Sequence, residues 1–63
     1  MKHTFREWRR LKEMSQQELA DRVGVHVNTV ANWEEHPGNM SIKRAFEVAD
    51  ALGVTIDDVI LQQ

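Results

Sequence analysis

Apolar residues recur along this chain at helical spacing, and β-branched residues never alternate with polar ones over a strand's length. That pattern predicts an all-α protein. A first helix is expected over residues 4–14, with Phe5, Trp8 and Leu11 at intervals of three on its inner face. Ser15 reads as an N-cap, and Glu18 three residues later completes a capping box. The second helix then runs to Val23, burying Leu19, Ala20 and Val23 before Gly24 stops it. A third helix is expected from Val27 to Glu35 with Val30 and Trp33 inward. The segment His36-Pro37-Gly38-Asn39 has the composition of a loop. Ser41 caps a fourth helix carrying Ile42, Ala45, Phe46, Ala49 and Leu52, which ends before Gly53. Thr55, with Asp58 three on, opens a short fifth helix holding Ile56, Val59 and Ile60. The expectation is a compact five-helix domain over residues 1–63, with Phe5, Trp8, Trp33 and Phe46 in its core.

Sixty-three residues make one domain near the lower limit of what folds without a staple. There is no cysteine, so neither a disulfide framework nor a thiolate zinc site is available. No apolar run approaches the ~20 residues that span a bilayer, and the N-terminus lacks the apolar core of a signal peptide, so a cytoplasmic protein without a membrane partner is expected. The net charge of −2 is unevenly spread. Residues 1–33 hold six Lys/Arg and four Asp/Glu, for +2, whereas residues 34–63 hold two and six, for −4. Such a chain can offer one cationic face but is not strongly cationic.

Catalysis finds little support. There is no Ser-His-carboxylate set, no Gly-rich phosphate loop and no metal-ligand spacing, since His3, His26 and His36 are scattered. Asp57 and Asp58 read as a cap and a solvated face. The expectation is a non-enzyme with no cofactor, no metal and no evident small-molecule effector.

Several residues combine into one pattern: Arg9 six before Ser15, Gln16 after it, Leu19-Ala20, Gly24-Val25, Trp33-Glu34, and Ala49-x-Ala51-Leu52-Gly53-Val54. Over about residues 5–61 this resembles the Cro and phage-repressor type of helix-turn-helix domain, also called the xenobiotic-response-element type. The resemblance makes the third helix the recognition helix, with Val27, Asn28, Thr29 and Asn32 directed at base edges. It implies that Gln16 and Gln17 at the start of the second helix, and Asn39, Ser41, Lys43 and Arg44 around the start of the fourth, hold the DNA backbone. It also implies that Arg9 and Glu34 form a structural ion pair. The chain departs from the family at His26, where Ser or Thr commonly caps the recognition helix. Its third helix also has no Lys or Arg and ends in Glu34-Glu35.

The residues support part of this by themselves. Val30 and Trp33 fix the inward face of the third helix, so Asn28, Thr29 and Asn32 lie elsewhere, and Asn28 and Asn32 stack one turn apart. An Asn can pair with adenine N6 and N7, and a Val can touch a thymine methyl. Outside the motif, the same asparagines would read as ordinary solvent-facing residues. Gln16 would be a good first-turn residue. Lys43 and Arg44 would be a solvated pair, although positive charge at a helix start is unfavourable. The reading is a sequence-specific double-stranded DNA-binding transcriptional regulator, a repressor acting as a weak homodimer on a palindromic operator, with Ile56, Ile60 and Leu61 as candidate dimer residues. The alternative is a protein-interaction module on the same fold, an antitoxin or adaptor component, which the acidic net charge favours.

Overall fold

Four helix starts are fixed by side chains that accept backbone N–H groups otherwise left without partners. The computed structural model describes residues 1–61. Its elements are α1 (Phe5–Leu11), α2 (Gln16–Val23), α3 (Val27–Glu35), α4 (Ile42–Leu52) and two single 3₁₀ turns, Pro37–Asn39 and Ile56–Asp58. Ser15 and Glu18 form the expected capping box, the Ser15 Oγ accepting the Glu18 N–H at 3.0 Å. Thr4 and Glu7 form another that the sequence reading passed over, although Thr-x-x-Glu is its signature. The hydrogen bond donated by the Thr4 backbone N–H holds Glu7 below the ordinary carboxylate range. Ser41 Oγ accepts the Arg44 N–H at 3.1 Å. His26 caps α3 through Nδ1, which accepts the Asn28 N–H at 3.0 Å, so an imidazole does here what a hydroxyl commonly does.

Helix ends are set as firmly. Gly24 and Gly53 are left-handed, with φ of 85° and 75°. Beyond them Val25 and Val54 donate back to the Ala20 and Ala49 carbonyls at 3.0 Å, closing each helix with a six-to-one bond. α1 ends three residues before the expected Met14 for the same reason. Glu13 takes φ 55° and lets Met14 N–H return to Arg9 O at 3.0 Å. Met14 is thus buried from outside the helix.

The core is built from Phe5, Met14, Leu19, Ala20, Val30, Trp33, Ala45, Val48, Ala49, Leu52 and Val59. α2 lies at its centre, packing on both α3 and α4, and Ala20 has no exposed surface. A small residue there lets the neighbouring elements approach closely. On α4 the buried positions Ala45, Val48, Ala49 and Leu52 follow the i, i+3, i+4, i+7 stripe.

Four expectations of the sequence pattern are corrected. The fifth helix is absent among the described residues. Ile56–Asp58 makes one 3₁₀ turn, after which Val59 becomes extended and pairs in parallel with His3. A six-residue helix is too short to be stable alone, and the chain instead ties its two ends together. His3 N–H donates to Asp58 O at 3.1 Å, Ile60 N–H to His3 O at 2.9 Å, and Trp8 Nε1 to Asp58 O at 2.8 Å. Val59 is buried and Ile56 half-buried against the core, while Ile60 is exposed. Leu11 is 59% exposed rather than inward. Six residues at 3.6 per turn place it about 120° from Phe5, so Arg9 takes the inner face instead. Phe46, assigned to the core, is 54% exposed, because it follows Ala45 by one residue and is turned about 100° away. Ile42 likewise stays outside.

Candidate nucleic-acid interface

Two helices joined by Gly24, Val25 and His26 present the surface that the sequence singled out. Val30 and Trp33 anchor α3 in the core, which leaves Asn28 and Asn32 exposed on its far side. Thr29 is half-buried, and Val27 is half-buried against the core, so these two line the shoulder of that surface. Asn32 does not stand alone. Its Oδ1 accepts Asn39 Nδ2 at 3.1 Å, which joins the 3₁₀ turn to the exposed face of α3.

A carboxylate positions the whole motif. The Glu34 side chain is 2% exposed and accepts Arg9 Nε at 2.6 Å and Arg9 Nη2 at 3.2 Å. The third Arg9 nitrogen, Nη1, donates to Met14 O at 2.8 Å. Glu34 Oε1 also accepts Gln16 Nε2 at 3.0 Å and Arg6 Nε at 3.4 Å. Burial raises the Glu34 pKa, but the donors and charge of Arg9, with Gln16 and Arg6, outweigh it and leave the carboxyl below its ordinary value. One anion therefore ties α1, the first turn of α2 and the end of α3 into a fixed arrangement. Among the described residues no buried side-chain polar atom lacks a partner.

The residues expected at the DNA backbone are only partly together. Gln16 gives its amide to Glu34, and Gln17 Nε2 donates to Asp21 Oδ1 at 2.9 Å. Asn39 is held on Asn32, while Ser41 Oγ is occupied as the α4 cap. Arg44 Nη1 pairs with Glu47 Oε1 at 2.8 Å, and Lys43 is exposed. Arg6 was assigned no role from sequence. It shares an oxygen of Glu34 with Gln16, so its partly exposed guanidinium sits beside the start of α2. Its spacing of three from Arg9 was the available signal. No helix among the described residues is long and apolar enough to cross a membrane.

A helix-turn-helix family model matches residues 5–59. An uncharacterized HTH-type transcriptional regulator of Methanocaldococcus jannaschii is 32% identical over all of this chain and 96% of its own length. Two from Archaeoglobus fulgidus are 34% and 33% identical over 97% of this chain, covering 86% and 87% of their own lengths. No solved structure gives a significant match. With the capped helix pair, the Arg9–Glu34 tie and these likenesses spanning nearly its whole length, the chain belongs to the XRE-type helix-turn-helix family.

Proposed function

We propose that the protein is a sequence-specific double-stranded DNA-binding transcriptional regulator, a repressor that sits on a palindromic operator as a dimer. The observation that carries this reading is the exposed Asn28–Asn32 face of α3, held rigidly by Val30, Trp33 and the Glu34 tie. An α-helix fits the major groove, which is roughly 12 Å wide. Asn28 and Asn32 carry both a donor and an acceptor, the pattern that pairs with adenine N6 and N7. Val27 and Thr29 on the shoulder supply methyl contacts suited to thymine. The half-site therefore contains at least one A·T pair read by Asn28 or Asn32.

The phosphate grip on this reading lies at the start of α2. Free backbone N–H groups and the positive helix end favour an anion there, and Gln16, Gln17 and Arg6 add donors. Ser41, Asn39 and Arg44 flank the other side of the recognition helix. Glu34 does not repel phosphate as a bare charge would, because Arg9 neutralises it inside the fold. Half-sites about one turn apart, ~34 Å, suit a dimer of such domains.

A protein-interaction module on the same fold is favoured by the net charge of −2 and by the absence of Lys and Arg from α3. Selection of bound sequences from a random duplex pool decides between the two. A palindromic A·T-containing consensus is expected. Affinity for it should fall with salt at a log–log slope of about −0.9 for each phosphate contact. Failure to enrich any sequence, together with no binding at low salt, refutes the DNA reading.

A further inference from the structure

The fourth helix carries an apolar surface that the core does not use. Ile42 is 78% exposed and Phe46 54%, and their spacing of four stacks them on one side of α4. Lys43 and Asp50 lie on that side too, since positions 43, 46 and 50 follow the three-then-four spacing that keeps residues in line along a helix. Both are exposed. Among the described residues neither has an ion-pair partner, whereas Arg44 is engaged with Glu47. The stripe thus runs from cation to apolar centre to anion.

We infer that this stripe is a homodimer contact, with α4 packing antiparallel on α4 of a second copy about a twofold axis near Phe46. The order of charges selects this occupant. At 1.5 Å per residue, Lys43 lies about 4.5 Å before Phe46 along the helix and Asp50 about 6 Å after it. Reversing the direction of the partner brings its Asp50 level with Lys43, twice by symmetry, with the two Phe46 rings between and Ile42 flanking them. The surface is self-complementary, as an isologous contact requires. Lys43, which the family resemblance puts at the DNA backbone, is assigned here to the protein–protein contact.

Two apolar side chains per copy supply far less than the about 800 Å² per partner of a standard interface. The dimer is therefore weak alone and is completed when two copies occupy neighbouring half-sites. Its purpose rests on the dimeric reading above, but self-association is measurable without DNA, so the two fail separately.

Sedimentation velocity of the full chain at low salt, from micromolar to millimolar concentration, tests the contact. A reversible dimer is expected, and Phe46→Glu should abolish it. Lys43→Asp or Asp50→Lys alone should weaken it about three- to thirtyfold, through two symmetry-related exposed pairs, and the double exchange K43D/D50K should restore it. All of these positions are exposed, and circular dichroism of each variant serves to check that it keeps its helices. A chain that stays monomeric to millimolar concentration, or a dimer unmoved by these substitutions, overturns the proposal. If that happens while a selected operator is still bound, the DNA reading stands and this contact alone falls.

Discussion

Replacing Glu34 by Gln removes the one negative charge inside the Arg9 tie while leaving the side chain's shape almost unchanged. Glu34 accepts four hydrogen bonds, two from Arg9 and one each from Gln16 and Arg6. In Gln, one of the two oxygens becomes an NH₂ group, so one position now sets a donor against a donor. The Arg9 guanidinium is left nearly buried without a counter-charge, a situation that destabilises by ~3–5 kcal/mol. Arg6 is 40% exposed, so losing its long contact adds little. Total stability for a domain of this size is of order 3–9 kcal/mol at ~0.05–0.15 kcal/mol per residue. The substitution should therefore remove much of the stability and lower Tm by roughly 12–40 °C. Urea unfolding at neutral pH, followed by tryptophan fluorescence, measures it directly.

The double variant R9M/E34M separates a stranded charge from a lost attraction. With both charges gone, what remains is the Met14 carbonyl, deprived of the Arg9 Nη1 donor, and the half-buried Gln16 amide, deprived of Glu34, at ~1–3 kcal/mol each. The double should thus be more stable than R9M alone, in which the buried Glu34 keeps only the partly exposed Arg6 as a counter-charge. A Glu34→Gln midpoint within ~0.5 kcal/mol of the parent, the scatter of ordinary surface changes, would show the tie to be ornamental. Additive single effects in the cycle would do the same.

Acid should act through the same group. The Glu34 pKa is lowered on folding from its ordinary 4.5, so its contribution is complete above that value and is lost as pH falls through the lower folded value. Urea midpoints across pH 3–7 should drop on the acid side, less steeply in Glu34→Gln; parallel curves would contradict this. Glu13 sits at φ 55°, a conformation that costs a side-chain residue ~1–2 kcal/mol and a glycine almost nothing. Glu13→Gly should then raise stability by up to about 1 kcal/mol after the glycine's larger unfolded entropy is subtracted, and a fall in the thermal midpoint would be the wrong sign. His26→Ala removes the α3 cap and should lower stability by ~1 kcal/mol, with His26→Ser restoring it. Asn28→Ala and Asn32→Ala should each lose ~1–3 kcal/mol on a selected operator and much less on a mismatched one; equal losses on both would exclude base reading.

What the sequence determined by itself was set by short-range chemistry. Ser15, Glu18, Gly24, Ser41 and Gly53 mark helix ends because their effects act within one turn of backbone. Val30 and Trp33, on one side of a helix, already imply that Asn28 and Asn32 lie on another. The family pattern linked Arg9 with Glu34 across 25 positions, but it did not show that Gln16 and Arg6 converge on the same carboxylate. That convergence depends on where three helices cross. The fate of Leu11, Phe46 and the last segment was likewise decided in three dimensions. Leu11 and Phe46 are apolar, yet each is turned away from a core whose direction is fixed by other elements. Thr55 to Ile60 had an acceptable helical pattern, but the extended backbone at His3 offered backbone hydrogen bonds and a buried place for Val59 that a six-residue helix could not match. Local chemistry places the helices and their ends; which apolar side chains are left facing water is known only when the helices have packed.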